Sequence, residues 1–309
     1  MKKRQRNVFR YLVTAGLLLA LGYLADLGKI FRHIVQADIF LYLAGTQVFL
    51  SIYFWSAFRW NSLIKGLGYS MSLGESLKVI SMSYGFNKIL PLNSGDLTRS
   101  KLMERYTEID SHGKVLGAVA MERLLDIIFL GVLTGISSFY VLGSNQTVNW
   151  ILPGVTLILL LMISLRVHGD FYRRITDLVR SFGVSQSVTG FLKNGLEGYS
   201  EISASDLLEV CIWHSLRWTA GILVIYILAL SLGSPISVAG AVLATGVMNL
   251  VAALPITPAG LGPVEAAGTG ILVIIGLSAS QAAALVVLQR SLGFVLMGGI
   301  GAIVYSLDK

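Results

Sequence analysis

The sequence predicts an all-α membrane protein. It has about six full transmembrane helices plus two re-entrant elements broken by Pro and Gly, arranged as an inverted-topology repeat. Three observations predict this. The 309 residues are 54% hydrophobic and only 13% charged, with a mean hydropathy of +0.72, whereas soluble domains carry roughly 25% charged residues. Two apolar runs are interrupted by Pro91 and Pro255 and leave as glycine-rich or polar segments. Finally, several short motifs recur in the same order in the two halves of the chain.

The elements follow in order. Residues 1–10 form a basic head, and the apolar run to Ala25 lacks a convincing small-residue cleavage site, so 8–25 is expected to span with the N-terminus inside. Asp26 to Ala37 is a mixed-charge linker or interfacial helix. Residues 38–58 span again, with Trp55 and Trp60 fitting an interfacial belt and Arg59 and Lys65 the cytoplasmic side. The run 74–97 is as long as a span, but Pro91, Asn93 and Gly95 break it and a strongly basic stretch follows. Both flanks therefore read as cytoplasmic, and the run as re-entrant. Residues 115–142 cross outward, an outer loop carries the chance-level glycosylation sequon Asn145-Gln-Thr147, and 150–165 cross back. The mixed-charge stretch 166–205 reads as amphipathic cytoplasmic helices. Residues 206–232 cross outward, 238–276 form the second broken element, and 278–305 cross inward to a cytoplasmic C-terminus. The whole is one polytopic domain, with repeat 1 over about 38–142 and repeat 2 over about 206–307.

The repeat rests on matched residues. Trp55-x-x-x-Arg59-Trp60 matches Trp213-x-x-x-Arg217-Trp218, Leu90-Pro91 matches Leu254-Pro255, and Glu122-Arg123 matches Gln289-Arg290. The spacing from Gly68 to Pro91 agrees with that from Gly233 to Pro255 to within one residue. In the expected topology the two broken elements enter from opposite sides and point at one another, which places a site at their interface near the midplane.

Charged residues inside such helices are expensive and mark function by default. Arg123 and Arg290 are the leading candidates for holding an anionic group, since a guanidinium offers a planar fork to a phosphate. Glu122, Asp126 and Glu265 would tune charge or carry protons. The alternative is that Glu122, Arg123 and Asp126 neutralise one another and pin helices, Arg123 reaching Asp126 at i+3. Arg290 has no acid on its own helix, which makes Glu265 its best partner. Asn87, Asn93, Thr257, Ser94 and Asn249 flank the breaks, where they could touch substrate or cap half-helices. Pro91, Pro255, Gly260 and Gly262 shape the breaks, and Gln289 accompanies Arg290. Asp96 and Arg99 could gate the cytoplasmic mouth or form a solvated pair. His214 and Arg217 could form an anion site or proton relay, or simply pack.

The net charge of +7 fits basic cytoplasmic loops better than nucleic acid. The single cysteine, Cys211, excludes an intramolecular disulfide, and no zinc spacing, phosphate loop or catalytic triad is present, so no cofactor is expected.

Leu90-Pro-Leu-Asn-Ser-Gly-Asp-Leu-Thr-Arg99, Glu122-Arg-Leu-Leu-Asp126 and Leu254-Pro-Ile-Thr-Pro-Ala-Gly-Leu-Gly-Pro-Val-Glu-Ala266 together resemble the lysylphosphatidylglycerol synthase transmembrane region, a flippase-like (YbhN-type) membrane family, over about 10–305. The resemblance implies two re-entrant elements and a role in moving lipids between leaflets. The lipid would be an aminoacylated phospholipid or a polyprenyl-linked one. Asn93-Ser-Gly stands where family members often carry more glycine. No polar stretch is long enough for the aminoacyl-transferase domain of multidomain relatives, so the chain is not expected to be an enzyme by itself. The expected partners are membrane lipids, a separately encoded lipid-modifying enzyme and a second copy of the chain. Two other functions stay open. One is a secondary transporter of a small soluble solute. The other is a non-transporting membrane partner that recruits an enzyme through 166–205.

Overall fold

The computed structural model describes Gly16 and residues 25–89, 94–109, 111–143, 202–253 and 257–308. Nearly all of the expected span at 8–25, the whole of 150–165, the sequon and nearly all of the 166–205 linker lie outside these residues, as do Pro91, Asn93 and Pro255 at the two breaks. Every regular element among the described residues is helical.

Helix α1, Leu27–Val35, starts at Asp26, whose carboxylate accepts from the Gly28 and Lys29 amides. Helix α2, Ile39–Gly66, starts in the same way at Asp38. Helix α3, Leu73–Ile89, opens with a reciprocal cap: the Ser72 amide donates to Glu75 and the Glu75 amide to Ser72. These side chains satisfy amide groups that a first helical turn leaves unpaired. After the first break come two short helices, α4, Ser94–Leu97, and α5, Arg99–Met103. Helix α6 is His112–Leu142 and helix α7 is Ala204–Ser231. The second broken element is α8, Val238–Ala253, then a tight turn Pro258–Gly260, then α9, Pro263–Ile274. Helix α10, Ala279–Leu292, continues through a single π turn, Gly293–Met297, into α11, Gly298–Leu307.

Four of these are long and apolar enough to cross a membrane: α2 with 28 residues, α6 with 31, α7 with 28, and α10 through α11 with 29. They match four of the expected spans. Helices α3, α8 and α9, with 17, 16 and 12 residues, fall short of the roughly 20 that a span needs. Outward side chains such as Phe40, Phe54, Phe139, Ile212 and Val295 are apolar and exposed, as a lipid-facing surface requires.

The packing is reciprocal. Helices α2 and α7, which carry the matched Trp-x-x-x-Arg-Trp motifs, lie against each other over much of their length. Helix α3 packs on α11 and the π turn, while α8 packs on α6. The first helix of each broken element thus lies on a long arginine-bearing helix of the other half. The α3–α11 contact is backbone to backbone: a Cβ built on Gly85 would lie 2.8 Å from the Gly301 Cα, so only glycine permits this approach. Asp308, at the end of α11, takes Lys78 of α3 at 2.7 Å and also bonds Tyr106, while its carbonyl accepts from Arg105 at 3.0 Å.

Two expectations need correction. The span placed at 38–58 runs on to Gly66, and Arg59 and Trp60 do not face solvent or lipid: both are buried, Arg59 at 1% exposure. The physical reason lies in α6 and α7, which supply the acceptors that make burying Arg59 tolerable. Asp96 and Arg99 are likewise no solvated pair at a mouth, since both are buried in the same network.

Candidate functional site

The expected site residues separate into two charged groups. The first is built by α2, α4 to α7 and the end of α3. Glu122, fully buried on α6, takes Arg59 Nε at 3.0 Å on one oxygen and Arg99 Nη1 on the other. Asp126, one turn along, receives Arg59 Nη1 at 3.2 Å and Trp218 Nε1 at 3.0 Å on Oδ1, and Arg123 Nη1 at 3.1 Å on Oδ2. Asp96 is the third carboxylate. Arg99 Nη2 donates to it at 3.1 Å, Asn87 Nδ2 at 2.9 Å and Arg123 Nε at 2.9 Å. The Asp96 amide donates back to Asn87 at 3.2 Å. Asn87 therefore joins the end of α3 to the start of the next helical segment, as a cap does. Ser83 completes the junction, accepting from Arg99 Nε at 3.1 Å and donating to the Gly95 carbonyl at 3.1 Å. A Cβ on Gly95 would lie 2.2 Å from the Ser83 carbonyl oxygen, so glycine is obligatory where the chain folds back on α3.

Among the described residues, four guanidinium groups (Arg59, Arg99, Arg123, Arg217) face three carboxylates here. Buried ion pairs of this kind persist only when nearly every donor and acceptor is met, and Arg59, Arg99 and Arg123 are. Arg123, expected to hold substrate, bonds both Asp96 and Asp126 while its side chain stays 42% exposed.

The second group lies where the two broken elements meet. The end of α3 packs against both the Pro258–Gly260 turn and the π turn. Arg290 Nε donates to Glu265 at 2.7 Å and Nη2 to the Ala259 carbonyl at 2.8 Å. The local backbone aims these acceptors. Ala259, Gly260 and Gly262 all have positive φ (49°, 69° and 92°), a conformation that the two glycines adopt without strain. Thr257 donates to the Leu261 carbonyl at 2.7 Å and so serves the backbone of the break, while Asn249 donates to the Thr245 carbonyl at 2.8 Å within α8. The Glu265 carboxylate accepts from the Gly262 amide at 2.7 Å, capping α9. Its expected pairing with Arg290 is present.

Sequence reasoning missed Lys88 in this group. Its ammonium lies 5.5 Å from the Phe294 ring centroid, and the Arg290 guanidinium lies 5.0 Å from the same ring. Both distances are within cation–π range. Lys88 makes no ion pair with any described carboxylate. Two cations thus share one aromatic ring, and only Arg290 takes the nearby acid, Glu265. Gln289, beside Arg290, has a buried side-chain oxygen with no hydrogen-bond partner. The signal for Lys88 was its place on the last turn before Pro91. Arg59 was also missed, although its repeat match, Arg217, was a candidate.

His214 and Arg217 belong to the first group. Arg59 Nη1 lies 2.8 Å from His214 Nδ1, and the Arg217 guanidinium lies over Trp218, 4.1 Å from the ring centroid. Among the described residues, no three His, Cys, Asp or Glu side chains gather in a metal-ligating group.

The chain is similar in sequence to several known proteins. The family model for the lysylphosphatidylglycerol synthase TM region matches residues 7–301. A UPF0104 membrane protein of Pyrococcus horikoshii is 23% identical, over 92% of this chain and 92% of its own length. Another, from Methanocaldococcus jannaschii, is 26% identical over 71% of this chain and 92% of its own length. Glycosyltransferase AglD of Haloferax volcanii is 21% identical over 97% of this chain, which covers 55% of that protein. No solved structure matches the chain.

Proposed function

This chain belongs to the lysylphosphatidylglycerol synthase TM region family, and from that premise we propose that it moves an anionic or amphipathic lipid between the leaflets of a membrane. One observation carries the reading. Where the ends of the two broken elements meet, Lys88 and Arg290 share the Phe294 ring, and of the two only Arg290 pairs with a described carboxylate. A lipid phosphate crossing the apolar slab needs fixed cations that are not already spent on internal carboxylates. Lys88 meets that requirement and Arg290 meets it in part, while Arg123 does not. The head group would pass between the broken elements, with its phosphate held by Lys88 and Arg290. Glu265 would hold Arg290 in place when the site is empty, and the acyl or prenyl tails would stay in the bilayer. The reciprocal packing of α3 on α11 and of α8 on α6 supports an inverted repeat, the arrangement that sets a transport site at the interface of two halves.

The name of the Haloferax relative favours a second reading. A region similar to this chain forms about half of a protein named a glycosyltransferase. On that reading the present chain handles the lipid for a transferase, and the lipid is polyprenyl-linked rather than an aminoacylated phospholipid. In neither reading does this chain carry out the transfer chemistry.

Reconstitution tests the proposal. Purified protein in liposomes should bring fluorescent head-labelled phosphatidylglycerol to the outer leaflet faster than protein-free vesicles do. Lys88→Met and Arg290→Gln should each slow that exchange by about tenfold or more, the loss of a charge-assisted contact. Exchange no faster than in empty vesicles, or full activity in both variants, would overturn it. Saturable uptake of a soluble solute without lipid movement would favour a solute transporter.

A further inference from the structure

Helix α7 places His214 and Arg217 on one face, one turn apart, against the first charged group. A guanidinium only donates, so His214 Nδ1, 2.8 Å from Arg59 Nη1, must be the acceptor. The ring hydrogen therefore sits on Nε2. His214 is 3% exposed, and its Nε2 is buried without a partner. Arg217 Nε is in the same state. Its Nη1 lies 3.9 Å from Asp126 Oδ1, beyond hydrogen-bond reach, and that oxygen already accepts from Arg59 and Trp218. Two neighbouring buried donors without a protein acceptor are uncommon, because burying a donor costs free energy unless some group accepts from it.

The surrounding charge points the same way. Among the described residues this group holds one more guanidinium than carboxylate, and Arg217 is the member without an acceptor of its own. A ligand that met both donors and the extra charge would be an acceptor-only group carrying a single negative charge. Against a helix long enough to cross the membrane, that description fits a phosphodiester. We infer that the buried donors His214 Nε2–H and Arg217 Nε–H form a second phosphodiester-binding subsite, separate from Lys88 and Arg290. The subsite does not depend on transport, and a protein that moved no lipid could still hold one there.

Native mass spectrometry of the detergent-solubilised full chain, titrated with phosphatidylglycerol, tests this. Two lipids should bind the wild type tightly. Arg217→Gln should remove one of them, with binding at that subsite about tenfold weaker or worse, the loss of one charge-assisted hydrogen bond. Lys88→Met should remove the other, and the double variant both. Arg217→Lys, which keeps the charge without the fork, should bind between wild type and Arg217→Gln, and it carries the test if Arg217→Gln does not fold. Diacylglycerol, lacking phosphate, should not bind at this subsite. Glycerophosphoglycerol, the free head group, separates the sources: competition at the Arg217 subsite identifies a soluble phosphodiester, and failure to compete identifies a lipid. Wild-type binding of two phosphatidylglycerols by Arg217→Gln, or equal binding of diacylglycerol, would overturn the inference. Loss of transport in Lys88→Met with the Arg217 subsite intact would leave it standing.

Discussion

Glu122→Gln is the sharpest perturbation of the first charged group. The Glu122 carboxylate is fully buried and bridges Arg59 of α2 to Arg99 of α5. The amide keeps the size and one acceptor oxygen, but turns an NH2 toward the other guanidinium, donor against donor. Four guanidinium groups are then left facing two carboxylates. Removing one partner of a buried pair costs about 3–5 kcal/mol, chiefly because the surviving charge stays buried and unmet. At roughly 2–4 °C per kcal/mol for a domain of this size class, the melting temperature should fall by about 10 °C. The assay is thermal unfolding of the purified chain in detergent, followed by far-UV circular dichroism and checked by SDS titration. Arg99→Gln on the Glu122→Gln background restores the balance of charge. The double variant should be less destabilised than the sum of the singles by about 1–3 kcal/mol. A Glu122→Gln protein within about 0.5 kcal/mol of wild type would refute the reasoning, because the arginines' charges would then be met elsewhere. So would strict additivity in the double variant.

Two more predictions follow from the same structure. Gly85→Ala should destabilise by about 1–3 kcal/mol, since the new methyl would meet the Gly301 backbone rather than a movable side chain. Gly299→Ala, which points into open space, is the matched control and should change the melting temperature little. Asp308 gives a pH signature. Its hydrogen bond from Lys78, then that from Tyr106, hold its carboxyl below the usual range. A carboxyl depressed on folding stabilises above its unfolded pKa of about 4 and stops doing so as pH falls through the folded value. Asp308→Asn should therefore melt lower than wild type at pH 7 and converge with it in strong acid. Parallel melting curves across that range would refute it.

The fold was legible where physics is local. Length and hydropathy found the four long helices, and Pro91 and Pro255 marked the places where apolar runs stop. Two pairings were also legible. Arg123 reaches Asp126 because i+3 residues share a helix face, and Arg290 takes Glu265 because nothing on its own helix could serve. Arg59 was not legible, because its acceptors come from α6 and from α7 on the far side of a long intervening stretch. Next to Trp55 and Trp60 it looked like an interfacial cation, although its match to Arg217 was visible. The sharing of Phe294 by Lys88 and Arg290 depends on where α3 ends against the π turn. No spacing rule reports either that register or the π turn itself.

The backbone contact between Gly85 and Gly301 bears on how the chain is made. Helix α3 emerges from the ribosome early, yet the surface it packs on is the last helix described. Until that helix is synthesised, α3 has no glycine-lined partner for the face that carries Gly85. Contacts between segments so distant along a chain form late and slowly. Insertion of this protein is therefore expected to pass through a long-lived intermediate in which α3 waits outside its final position, sheltered by the insertion machinery or lying at the membrane surface. Substitutions at Gly85 or Gly301 should then reduce the yield of inserted protein more than they reduce the stability of the molecules that do assemble.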